Sequence, residues 1–172
     1  MVIAPDVTRP EPPTVASERE MLEGWLDYHR ATLLHKCAGL STEQLKRRPC
    51  PPSGLSLLGL VRHLTEVERW WFRAHVGGEQ LDDLYCSAED PDGDFNDLDG
   101  ADVEAVFATF HAEVAAGRKA VAGRSLEDTV PQLTDGLPLS VRWVYVHMIE
   151  EYARHNGHAD LLREQLDGVT GV

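Results

Sequence analysis

Met21, Leu22, Trp25, Leu26, Leu33 and Leu34 recur at helical spacing and predict a first long helix running to about Cys37. Ser17 and Glu20 stand where a capping box needs them, hydroxyl and carboxylate each satisfying a backbone donor of the other, so the helix opens at Ser17. Ahead of it, Pro5, Pro10, Pro12 and Pro13 deny residues 1–16 both a helix and a strand ladder, and that segment reads as an extended or disordered tail. Ser41–Arg47 reads as a short helical turn capped by Ser41 or Thr42, which Pro49-Cys50-Pro51-Pro52-Ser53-Gly54 cannot continue. A second long helix is predicted from about Ser56 to Val76, with Leu57, Leu60, Leu64, Val67 and Trp71 on its inner stripe and Gly77-Gly78 as its stop. A third runs from about Asp102 to Val121, turning Val103, Val106, Phe107, Phe110 and Val114 inward. After a loop from Gly123 to Leu139, punctuated by Pro131, Gly136 and Pro138, Ser140 caps a fourth helix that Gly168 ends near Leu166. No segment alternates as a strand does, and no period repeats. The pattern predicts an all-α protein, a four-helix bundle over residues 17–172 behind the tail.

Charge changes the picture between the second and third helices. Glu79 to Glu104 holds eleven acidic residues and no Lys or Arg, which reads as a solvated loop. Asp90, Asp92, Asp94 and Asn96 suggest a calcium loop, but counting from Asp90 the sixth position is Phe95 and the twelfth Ala101, where that geometry needs Gly and a bidentate Glu. Over all 172 residues, 16 basic against 29 acidic side chains leave a net charge of −13, which repels phosphate backbones and anionic lipid and excludes general nucleic-acid and membrane binding. No apolar run approaches the ~20 residues of a membrane span, and the N-terminus lacks the pattern of a signal peptide. Cys37, Cys50 and Cys86 are odd in number and form no CxxC pair, so the expected setting is the reducing cytoplasm, without a disulfide framework or a cysteine zinc site.

The chemistry, if there is any, lies on the second and fourth helices. His147, Glu151, His155 and His158 fall within about 80° of arc on one face of the fourth helix. Imidazole and carboxylate at i and i+4 let two ligands converge on one metal, and a bundle site also needs a ligand from a facing helix. His63 is the candidate, embedded beside Leu60, Leu64 and Val67. The same spacings also suit a plain i,i+4 surface pair worth about 0.3 kcal/mol and a satisfied core histidine, so spacing alone leaves both readings open. Trp25, Trp70, Trp71 and Trp143 read as core and interhelix anchors. His29, His35, His75 and His111 read as packing residues, and no base can be assigned to any of the cysteines.

The stretch Leu60-Val-Arg-His63-Leu-Thr-Glu-Val-Glu68-Arg-Trp-Trp71, taken with His147-Met-Ile-Glu-Glu151-Tyr-Ala-Arg-His155-Asn-Gly157-His158, resembles the DinB/YfiT-like superfamily of metalloenzymes over about residues 18–168. It is also similar to the N-terminal domain of the mycothiol-dependent maleylpyruvate isomerases. The resemblance implies an up-down-down-up four-helix bundle with a divalent ion between helices, held by a histidine on the second helix and a ligand pair at i,i+4 on the last. In that superfamily a glycine follows two residues after the final ligand. Gly157 therefore assigns the ligands to His155 and position 151, with His63 opposite, and selects the pair Glu151/His155 over His147/Glu151. The superfamily commonly has His at position 151; a Glu occurs in the isomerase branch and leaves a divalent ion at net +1, which suits Zn²⁺, with Ni²⁺ or Fe²⁺ as the other candidates.

The activity implied is metal-dependent transfer of a low-molecular-weight thiol to an electrophile, in which a thiol entering an open coordination position loses its proton. His158, one turn beyond the ligands, is the candidate catalytic residue, as a base or to orient the thiol; a hydrogen-bond partner of a ligand is its other reading. Only Lys36, Lys46 and Lys119 among the basic residues are lysine, an arginine bias expected of a GC-rich genome, and this favours mycothiol over bacillithiol. A metal-dependent hydrolase and a non-catalytic stress or interaction protein are the alternatives on the same bundle. Members of the superfamily often dimerise through bundle faces, which leaves a homodimer open.

Overall fold

The computed structural model describes Ala4, residues 7–130 and residues 138–171. Helix α1 spans Glu18–Cys37, and its capping box is formed as expected: the Ser17 hydroxyl accepts from the Glu20 N–H while the Glu20 carboxylate accepts from the Ser17 N–H at 2.9 Å. The short α2 (Thr42–Lys46) carries a second capping box, built by Ser41 and Gln44. Of the expected tail, Val7 to Ala16 has no regular structure. The buried Ala4 exchanges backbone hydrogen bonds with Gly39 and Leu40 at 2.9 and 3.1 Å, while residues 1–3, 5 and 6, Pro5 among them, lie outside the described residues.

The second long helix has the expected ends and a different interior. It is α-helical as α3 (Leu57–Glu68), opened by the Ser56 hydroxyl accepting from the Gly59 N–H at 3.1 Å, and continues as a π-helix over Arg69–Val76. The i→i+5 bond from the Gly77 N–H to the Phe72 carbonyl, 2.9 Å, closes that segment. Within it Phe72 is buried in the core against Gly117, where a Cβ would stand 3.1 Å from that of Phe72. Nor is the inner face a single stripe. Leu57, Leu60 and Leu64 are buried as expected, but so are Leu58, Val61, Arg62, Thr65 and Glu68, because α3 is covered on several sides and needs apolar or paired groups all round.

Helix α5 (Val103–Val121), capped by Asp102, packs on α3 and its π-helical continuation. Helix α6 (Val141–Asp167) is capped by Ser140, ends at Gly168 with φ 79°, and packs along α1 and across α3. Two residue pairs, Thr129↔Ser140 and Val130↔Leu139, make a minimal antiparallel ladder before α6 where no strand was expected; Pro131 and Gly136 of that loop lie outside the described residues. The described chain is thus mostly helical, and no helix in it is long and apolar enough to cross a membrane.

Most carboxylates of the acidic segment are solvated, as expected, but its backbone is anchored to the rest of the fold. The segment between the π-helix and α5 folds back on α3 and includes a one-turn helix, α4 (Gly93–Asn96). Basic side chains take its carbonyls: Lys46 reaches Asp99, Arg48 reaches Phe95 at 2.7 Å, Arg69 reaches Asp82 at 2.9 Å, and Arg62 binds the Asp97 carbonyl while stacking 4.4 Å over Tyr85. The Glu66 carboxylate of α3 accepts three consecutive N–H groups, those of Leu84, Tyr85 and Cys86. Gly59 and Gly93 allow the approach, since a Cβ on Gly59 would meet Phe95 at 3.0 Å and one on Gly93 would meet the Tyr85 carbonyl at 2.3 Å. Carboxylates dominate this segment's sequence, but its backbone and two apolar residues, Phe95 and Leu98, anchor it.

The tryptophans divide. Trp71 packs on the core edge and reaches Trp143 of α6 at 5.4 Å, an interhelix contact, but Trp25, Trp70 and Trp143 are exposed rather than core residues. They sit beside, not on, the buried stripes of their helices; on α6 that stripe is Val141, Val144, Tyr145, Met148, Tyr152, His155, Ala159 and Leu162.

Candidate metal centre

His155 lies on the buried stripe of α6, with Glu151 one turn before it at the stripe's margin. Helix α3 crosses α6 there and presents His63, whose ring centroid is 4.7 Å from that of His155. One potential ligand atom from each of His63, Glu151 and His155 lies within 4.8 Å of the others, and His155 Nε2 stands 3.5 Å from Glu151 Oε2. Ligands at ~2.1 Å around a tetrahedral ion sit about 3.4 Å apart, so small side-chain adjustments bring this donor set to zinc-type geometry. The three residues expected to converge are brought together.

Neighbouring polar groups orient both rings. His63 Nδ1–H donates to Asp94 Oδ2 at 2.8 Å, and its ring stacks on Phe95 at 5.0 Å, which leaves Nε2 free to face α6. Asp94 is only 3 % exposed. His155 has its Nδ1 against His158 Nδ1 at 3.3 Å, with Nε2 turned to Glu151. Burial, followed by the neighbouring His63, His158 and Arg154, pushes the His155 pKa down to about 4, so the imidazole is neutral at physiological pH, the form that ligates. His158 lies behind His155 on the side away from Glu151, rather than among the converging donors.

Glu151 also belongs to a second group with His147 and Glu150. There His147 Nε2 is 3.8 Å from Glu151 Oε1, while Nδ1 is 3.6 Å from Glu150, which Arg154 already engages. The His147 ring stacks on Trp143 (centroids 4.9 Å apart, planes at 15°) and meets the edge of Trp71.

A cavity of about 270 Å³ opens on the loop side of His63, between the π-helix and the acidic segment, lined among others by Val67, Trp70, Trp71, Cys86, Asp94 and Phe95. Burial pushes the Cys86 thiol up, and Cys37, fully enclosed, is pushed up to about 12, so neither is an activated nucleophile.

A family model for mycothiol-S-transferase matches residues 21–168. The chain belongs to the mycothiol S-transferase family. That family lies within the DinB/YfiT-like superfamily, and every residue of the centre falls inside the matched span. No curated protein and no solved structure matches the chain. Membership makes this a mycothiol-related protein, and the His63/Glu151/His155 group is the feature through which metal chemistry would enter.

The sequence reading raised Asp94 only for a calcium loop and gave Glu66 no role. Both are carboxylates in or near a run of carboxylates, and the only hint was Phe95 and Leu98, apolar residues that a solvated loop has no use for. Asp94 is testable. Asp94→Ala, which leaves His63 Nδ1 unpartnered, should lower divalent-ion affinity by about 10–100-fold in a competition titration, with Asp94→Asn falling between it and wild type. Equal affinity in all three would detach Asp94 from the site.

Proposed function

We propose that the protein is a divalent-metal-dependent transferase that joins mycothiol, through its sulfur, to an electrophilic carbon of a second small molecule. The convergence of His63, Glu151 and His155 from two helices carries this reading. Two neutral imidazoles and one carboxylate suit Zn²⁺ first, then Fe²⁺ or Ni²⁺, and three ligands leave room for an exchangeable fourth. When bound, such an ion supplies the Lewis acidity that makes a thiol ionise near neutral pH.

The chain's own groups do the rest. Asp94 fixes the ring of His63, and its carboxylate favours the tautomer that turns Nε2 toward α6. His158 Nδ1 lies 3.3 Å from His155 Nδ1, and in this reading His158 either orients the His155 ring or, with that contact released, takes up the thiol proton. In the transfer a sulfur–carbon bond forms, the thiol proton passes to a base, and the electrophile's leaving group departs with its bonding pair or, in an addition, the adjacent atom takes the proton. The architecture belonging to this reading is an up-down-down-up four-helix bundle formed by α1, α3 with its π-helical continuation, α5 and α6, operating in the reducing cytoplasm.

Metal analysis coupled to a conjugation assay tests it. Protein purified without chelators should contain about one divalent ion per chain and should conjugate mycothiol to a simple alkyl or aryl halide. Activity should vanish with chelator and return with Zn²⁺ or a similar ion. Robust ester or amide hydrolysis with no dependence on thiol would instead assign the centre to water activation.

A further inference from the structure

We infer that the cavity beside His63 is the subsite for the polyhydroxylated, sugar-like part of the thiol, which stacks on the exposed indole of Trp70 next to Trp71 and donates its hydroxyls to the carboxylates of the facing acidic segment. This rests on the proposed thiol transfer and adds the place and chemistry of recognition. His63 lines the cavity, so a ligand held in it touches one member of the donor set. Its volume, about 270 Å³, lies close to the lower end of the ~300–1,000 Å³ of small-molecule pockets.

Its two walls differ in kind. One is aromatic and apolar: Trp70 and Trp71 are consecutive in the π-helix, whose wide turn lets both reach the same cavity. His75, inserted between their rings at 4.9 and 4.7 Å and anchored by its Nδ1–H to the Trp70 carbonyl at 2.9 Å, holds them in place. Trp70 remains 43 % exposed, a large apolar surface that core packing does not explain and that stands ready to stack. The other wall, from Asp82, Asp83 and Asp92, consists of exposed carboxylates whose oxygens make no hydrogen bond among the described residues, although the backbone carrying them is fixed by Glu66 and Arg69.

A flat indole opposed to ionised acceptors suits a ring with a C–H face and several O–H donors. It does not suit an anion, which these carboxylates repel, nor a wholly apolar molecule, which leaves them unused.

The experiment separates the subsite from the chemistry. In the metal-loaded enzyme, Trp70→Ala should raise KM for mycothiol about tenfold while changing kcat less than twofold. KM for N-acetylcysteine, the same thiol without the sugar, should not move, and Trp70→Phe should recover most of the loss. Independently of turnover, the sulfur-free pseudo-disaccharide of mycothiol should saturably change the intrinsic tryptophan fluorescence of wild type and fail to do so in Trp70→Ala. Saturable binding without thiol transfer would uphold the subsite and overturn the proposed reaction. Transfer in which Trp70→Ala affects both thiols equally, or in which the pseudo-disaccharide neither binds nor competes, would overturn the subsite and leave the reaction standing.

Discussion

His63→Ala and His155→Gln should each strip the protein of its divalent ion, lowering metal content after dialysis by more than the roughly 10–100-fold that a supporting carboxylate is worth, while His147→Gln retains it. The three variants distinguish the two groups that share Glu151. In one, donors come from two helices and His155 is neutral and nearly buried. In the other, all three residues come from one turn and a half of α6, Glu150 is engaged by Arg154, and His147 is stacked between tryptophans. Circular dichroism should show His63→Ala still largely helical, since α3 keeps its many other buried side chains. Metal loss in His147→Gln together with retention in His155→Gln would move the centre one turn toward the start of α6.

Glu68→Ala should cost about 3–5 kcal/mol of folding free energy, enough to lower the melting temperature by about 10 °C. Glu68 is fully buried and receives the Arg30 guanidinium through two bonds of 2.7 Å, and the Tyr152 hydroxyl donates to it at 2.9 Å. The network ties α1, α3 and α6 together in the interior. Deleting the carboxylate leaves the buried Arg30 guanidinium with Asp27 alone, a part-exposed carboxylate at 2.9 Å that Arg118 also engages; against the opposing effect of burial, Glu68 holds the Arg30 pKa above its already high ordinary value. Replacing both charges by apolar groups, as in Arg30→Met with Glu68→Leu, should recover most of the loss, because the cost lies in the unpaired charge rather than in the missing bond. Urea unfolding reads both; a loss under about 1 kcal/mol for Glu68→Ala would mean that water reaches Arg30.

Much of this protein is written locally. Ser17, Ser41, Ser56, Asp102 and Ser140 each cap the helix that follows, as capping chemistry requires, and Gly168 ends α6 in the left-handed conformation that glycine adopts most easily. These signals act over three or four residues and can be read before any tertiary contact exists. The i,i+4 pair Glu151/His155 belongs to the same class, since one helix fixes the separation of its members. That His63 would meet them rested on resemblance, because spacing could not tell a ligand from a packed histidine.

Contacts between segments distant in sequence decided what remained. Asp94 and His63 are 31 residues apart, and their pairing depends on a loop whose carbonyls are gathered by Lys46, Arg48, Arg62 and Arg69 and whose amides are gathered by Glu66. Charge composition could not reveal this, because the anchoring uses the backbone, which every residue has, rather than the carboxylates that dominate the count. The π-helical turn at Arg69–Val76 likewise leaves no periodic trace, and within it Phe72 packs against Gly117. Helix ends and ligand spacing are properties of one chain segment and are legible in the sequence. The orientation of the ligating rings and the walls of the cavity beside them arise where segments meet, and only the folded protein determines them.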